Sequence, residues 1–110
     1  MAEVGINQVV FLGTELKLNV HIDPIDEITM RDYRFVLDLY CSSGKVLTIT
    51  KSEAMPVDNN NYIVLVDTNL VGAGQLKCKV TAELPDADFD DKLRTEVSIV
   101  DTGINIVKKL

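Results

Sequence analysis

Residues 74–107 read GQLKCKVTAELPDADFDDKLRTEVSIVDTGINIV, and the fold follows from them. Leu76, Cys78, Val80, Ala82 and Leu84 alternate with Lys77, Lys79, Thr81 and Glu83. A period of two sends the two sets to opposite faces of an extended chain, which predicts a strand with one dry and one wet face. Pro85 ends it, because proline has no N–H to give a ladder. Residues 86–93 read as a loop and 94–100 as a returning strand, with Thr95, Val97 and Ile99 opposite Glu96 and Ser98. Asp101-Thr102-Gly103 then reads as a turn, with Gly103 at positive φ, before a last short strand carrying Ile104, Ile106 and Val107.

The same period recurs upstream. Leu16, Leu18, Val20 and Ile22 alternate with Lys17, Asn19 and His21, until Asp23-Pro24 closes the run. Tyr33, Phe35, Leu37, Leu39 and Cys41 share a face of the next strand, and Ser42-Ser43-Gly44-Lys45 reads as its hairpin turn. Residues 46–51 return, and 52–61 form a loop rich in Asn and Asp, which bond their own backbone. Val9 to Leu12 and Ile63 to Val66 are apolar runs that suit buried strands, and residues 1–8 read as a loose N-terminal segment. Val-Asp-Thr occurs at 66–68 and 100–102, too short a match to mark a repeat. No window longer than about ten residues has helical period. The expectation is one all-β domain over 1–110, an antiparallel two-sheet immunoglobulin-like β-sandwich of about seven strands, with a small closed barrel as the rival.

Composition narrows function. Eleven basic residues against seventeen acidic ones leave a net charge of −6, the wrong sign for a surface that neutralises phosphates, so no nucleic-acid partner is expected. No apolar run reaches the roughly 18 residues of a membrane span, and the first residues lack the basic and apolar regions of a signal peptide, so no membrane role is expected. A single His, no Gly-x-Ser-x-Gly and no phosphate-binding glycine loop give catalysis no footing, so neither catalytic residues nor a cofactor are expected.

Three features carry candidate chemistry. Cys41 and Cys78 share parity with apolar residues on separate strands: an intersheet disulfide fits an oxidising compartment, and two buried thiols acting as small hydrophobes is the simpler reading. Asp86, Asp88 and Asp90 have the first spacing of a calcium loop, but Asp91 and Val97 stand where an EF-hand needs Gly and Glu. A looser calcium site of Asp88, Asp90 and Asp91 is the one metal candidate. Otherwise the loop is a solvated acidic hairpin with Phe89 tucked beneath it. Asp101-Thr102-Gly103 after Val-Ser-Ile-Val carries the aspartic-protease tripeptide, but only seven residues follow it, too few for the strands and flap such a site needs.

Leu-Pro-Asp-Ala-Asp-Phe-Asp-Asp at 84–91, Arg-Thr-Glu-Val at 94–97, Asp-Thr-Gly at 101–103 and the earlier Tyr62, Asp67-Thr68 and Gly72-Ala73-Gly74-Gln75-Leu76 together carry a resemblance. The chain resembles the immunoglobulin-like modules of structural proteins in tailed bacteriophages and prophages of gut bacteria, of head-fibre and baseplate-upper type. The resemblance spans roughly residues 16–107. It implies a non-enzymatic module that anchors a fibre or appendage, contacts capsid or baseplate subunits, often forms a homo-oligomer (a trimer), and resides in the virion or in host cytoplasm before assembly. The contact surfaces expected are the 52–61 loop, the acidic 86–91 loop and the N-terminal segment. The alternative is an extracellular adhesin or glycan-binding sandwich, whose aromatic donors would be Tyr33, Tyr40 and Tyr62 beside the three Phe.

Overall fold

The computed structural model describes residues 2–4, 8–22, 34–58 and 61–108, and all of their regular structure is strand apart from two 3-10 turns at Lys51–Glu53 and Thr68–Leu70. Among the described residues nine strands occur: β1 (Ala2–Val4), β2 (Gln8–Phe11), β3 (Glu15–Ile22), β4 (Arg34–Tyr40), β5 (Val46–Thr50), β6 (Met55–Pro56), β7 (Asn61–Asp67), β8 (Gly74–Pro85) and β9 (Leu93–Val107). They form two separate sheets, of order β1-β3-β7-β6 and β2-β9-β8-β4-β5, so the closed barrel does not form. The expected connector at 25–32 lies outside the described residues.

Alternation built the core as expected. Phe35, Leu37, Leu39 and Cys41 from β4 and its end, and Leu76, Cys78, Val80, Ala82 and Leu84 from β8, are all buried. Across from them the second sheet sends in Leu18, Val20, Tyr62, Val64 and Val66, and one apolar cluster joins both sheets. Phe35 and Tyr62 meet edge to face across it, with ring centroids 4.9 Å apart. Each fully buried Leu or Val contributes about 1.5–3 kcal/mol by leaving water. The radius of gyration, 14.7 Å, exceeds the roughly 13 Å of a compact chain this long, and the extents are 53 × 26 × 21 Å. The 12-residue β8 and 15-residue β9 supply the longest pairing, from Gly74 opposite Ile106 to Pro85 opposite Leu93.

Several expectations need correction. The sheets are not purely antiparallel: β2 runs parallel to β9, Gln8 opposite Ile104 through Phe11 opposite Val107. Residues 1–8 are not loose where described, since Ala2–Val4 pairs with β3 and Gln8 begins β2. β1 belongs to the four-stranded sheet and β2 to the five-stranded one. The short apolar runs are not buried throughout: Val9, Phe11 and Leu65 are 66%, 57% and 61% exposed, because each run lies along a sheet with one face in water.

The largest correction is at Asp101-Thr102-Gly103. This is no turn between two strands but a bulge inside one. Gln75 faces Asn105 and Lys77 faces Asp101, so Leu76 alone stands against residues 102–104. Gly103 takes φ 77°, a conformation costly to any residue with a Cβ. The Thr102 hydroxyl, buried, donates to the Leu76 carbonyl at 2.8 Å and accepts from the Ile104 amide at 3.2 Å. The surplus of β9 over β8 is even, so Thr102, Ile104 and Ile106 all still face inward.

Thr102→Val keeps the shape and leaves both backbone groups without that partner in a dry site. The expected outcome is a loss of about 1–3 kcal/mol, read as a lower urea midpoint at unchanged m value. Thr95→Val, on the exposed side of the same strand, should move the midpoint little.

Candidate functional site

The hairpin of β8 and β9 presents the surface most available for contact. On one side β9 pairs with β8 along nearly its full length. On the other, β2 reaches only residues 104–107, and among the described residues no strand pairs with 95–100. This half of β9 is therefore the last strand of its sheet among the described residues, with β1 of the other sheet lying close beside β9. Val97 and Ile99, 55% and 60% exposed, stand on the outer face of the five-stranded sheet, opposite Thr81 and Lys79 of β8. Their partner set, expected from sequence only as the face opposite Glu96 and Ser98, is thus the wet one. Val9 and Phe11 of β2 lie on the same outer face, beside Asn105 and Val107, at the other end of β9.

Beneath the edge, charge is held locally. Arg94 reaches Asp86 at 3.1 Å and Glu96 at 3.5 Å. Asp86 also accepts from the Asp88 amide, and Asp91 from the Leu93 amide, so these carboxylates shape the loop. The calcium candidates Asp88, Asp90 and Asp91 sit on this turn. Among the described residues no three His, Cys, Asp or Glu side chains are arranged to hold a metal ion. Phe89 is not tucked under the loop; it is 47% exposed at the tip. The loop closes on itself through Asp86 N–H to Lys92 O and Lys92 N–H to Phe89 O, and Lys92 takes φ 62°, leaving no apolar floor for the ring.

The loop at 52–61 begins as a capped 3-10 turn, in which Glu53 accepts from the Thr50 amide at 3.0 Å, which lowers its pKa. Met55 and Pro56 then pair with β7, and Asn59 and Asn60 lie outside the described residues. A cleft of about 740 Å³ opens between β5 and β7, with Leu47, Ile49 and Leu65 on its walls. His21 is half-buried and bonded through Nδ1 to Asn61. Of the aromatic donors for a glycan, Tyr62 is buried in the core, Tyr40 is half-buried and Tyr33 lies outside the described residues. Phe11 and Phe89 are exposed but at opposite ends of β9, so they form no common platform. No helix among the described residues is long and apolar enough to cross a membrane.

Cys41 and Cys78 are free and buried. An intersheet bridge is excluded by topology: Cys78 lies on β8 facing Leu39 of β4, and Cys41 directly follows β4 in that same five-stranded sheet's hairpin. Burial, aided by the Asp38 charge, pushes the Cys78 thiol up to about 12, and burial also raises Cys41. The Asp101 carboxyl is held below its ordinary range by the Gly103 amide first and the Gln75 side chain second.

The two Val-Asp-Thr copies, too short to mark a repeat, nonetheless share a bonding pattern. In both copies the Asp accepts from the amide two residues on, Asn69 or Gly103, and the Thr hydroxyl is buried. Thr68 donates to the Thr14 carbonyl and accepts from the Gly13 amide, both at 2.8 Å, tying the end of β7 to the β2–β3 turn. The signal was present as identity of three residues, each with a distinct bonding task.

Two outcomes follow from the titrating groups. Ellman's reagent near neutral pH should find almost no reactive thiol in the native chain and both in urea; rapid native reaction would contradict the burial. A carboxyl with a lowered folded pKa stabilises above its ordinary range and loses that contribution as pH falls through the folded value. Asp101→Asn keeps the acceptor and removes the titration, so urea midpoints of the native and variant chains should converge as pH falls from about 6 to about 2.

No family model matches the chain, and no curated protein matches it.

Proposed function

We propose that this chain is a non-enzymatic immunoglobulin-like module of a phage virion or prophage appendage, working by protein–protein contact along the β9 margin. The observation that carries the contact role is the outer face of β9, where Val97 and Ile99 are turned to water on a stretch that, among the described residues, pairs with β8 alone. Exposed β-branched side chains on such a stretch supply apolar contact to another chain.

The immunoglobulin-like part is supported by strand order. The sheet β1-β3-β7-β6 corresponds to A-B-E-D of that fold, and β9-β8-β4 to G-F-C, with β5 and β2 added at either side. The chain departs from antibody domains in having no Trp for the core and no Cys on β3 to meet Cys78. Packing by Leu18, Val20 and Leu37 takes that place. The virion assignment rests on the resemblance of the turn motifs at 84–91, 94–97 and 101–103.

Fractionation of phage-producing cultures by density gradient, followed by lysine cross-linking and mass spectrometry, tests this. The chain should co-migrate with particles and cross-link to a capsid or baseplate subunit through Lys77 or Lys79, which lie on the outer face beside Asp101 and Ile99. Recovery only as free protein, or specific saccharide binding on a glycan array, would overturn the reading.

A further inference from the structure

We propose that the cleft between β5 and β7 binds a short basic segment of a partner protein, one in which lysine or arginine flanks leucine, isoleucine or valine. This surface is separate from the outer face of β9, since β8 and β4 stand between β9 and β5 in their sheet.

The cleft holds about 740 Å³, within the range of sites that enclose a ligand, roughly 300–1,000 Å³. Leu47 and Ile49 of β5 and Leu16 of β3 line it and pack on the core behind. Met55, Leu65 and Leu70 complete the lining and are 44%, 61% and 51% exposed. Exposed apolar side chains scattered singly are ordinary, but several gathered about one recess mark a contact site. Glu15, at its lip, stands at the opposite end of β3 from Ile22, after which the undescribed residues 23–33 begin.

Charge selects the partner. Glu15, Glu53 and Asp67 line the cleft against a single base, Lys17. Glu15 and Asp67 are direct cross-strand neighbours on β3 and β7, and like charges so placed repel. Asp67 has a structural task, accepting from the Asn69 amide at the start of a 3-10 turn. Glu53 has one too, accepting from the Thr50 amide. Among the described residues neither Glu15 nor Asp67 meets a basic side chain in an ion pair. A cation brought to this lip relieves the repulsion, while its apolar neighbours enter the cleft. Nucleic acid and anionic lipid would add to the repulsion, and a second copy brings the same net charge of −6.

Nuclear magnetic resonance titration of the intact, isotope-labelled chain tests this with two short peptides, one alternating lysine with leucine and one alternating glutamate with leucine. The lysine peptide should shift the amides of Leu47, Leu65 and Leu70 saturably below about 1 mM, and should bind more weakly as salt rises from about 50 mM to about 500 mM. The glutamate peptide should not bind. Leu65→Lys, at an exposed position, should weaken the lysine peptide at least about tenfold. Glu15→Lys should weaken it several-fold, and both variants should keep the β circular dichroism. Equal binding of the two peptides, saturable shifts confined to the 86–91 loop, or no saturable shift at about 1 mM overturns the proposal. So does self-association of the peptide-free chain that Leu65→Lys abolishes, because the occupant is then a second copy. None of these results touches co-migration with particles, so failure here and failure of the virion reading are separate observations.

Discussion

The Thr102 hydroxyl donates to the Leu76 carbonyl and accepts from the Ile104 amide where water does not reach. A bulge detaches backbone groups from the ladder, and buried backbone groups must find partners. One hydroxyl satisfies a carbonyl on one strand and an amide on the other. The remainder depends on it. With those groups satisfied, β9 continues past the irregularity, Ile104 and Ile106 stay in the core, and β2 has a straight stretch of β9 to pair with. Thr68 performs the equivalent task at the opposite sheet, joining the end of β7 to the turn after β2. Thr68 and Thr102 are the buried polar residues of the described chain: Thr68 stands just past the end of β7, and Thr102 at the bulge inside β9.

The core was legible because alternation is a local property. Phe35, Leu37 and Leu39, or Leu76, Cys78 and Val80, declare their face by spacing alone. Sheet membership was not, because it depends on which strands meet. Cys41 and Cys78 share an inward parity, but parity cannot distinguish two sheets from two neighbours in one, and the register of β4 on β8 decided it. The parallel β2–β9 pair was equally hidden, since a four-residue strand gives too little pattern to show its direction.

The 101–103 motif misled for a physical reason. Asp followed two residues later by Gly at positive φ is the chemistry of a turn, and here the Asp101 carboxylate does bond the Gly103 amide. The same local bonds serve a bulge when a neighbouring strand lies alongside, and that neighbour is a tertiary fact. The exposure of Val97 and Ile99 was hidden likewise. Apolar side chains on alternate positions suggest a core, yet Glu96, on the other face, has Arg94 to bond to and Val97 has only the Thr81 row beside it.

The parallel pairing of β2 with the end of β9 has a mechanical consequence. Chain direction is the same in both, so tension drawing the two outward ends apart pulls β2 and β9 past each other along their length. The bonds of that pair would bear the load together, in shear, and not break one after another as in an unzipping hairpin. The four residue pairs from Gln8–Ile104 to Phe11–Val107 would thus share such a load between them.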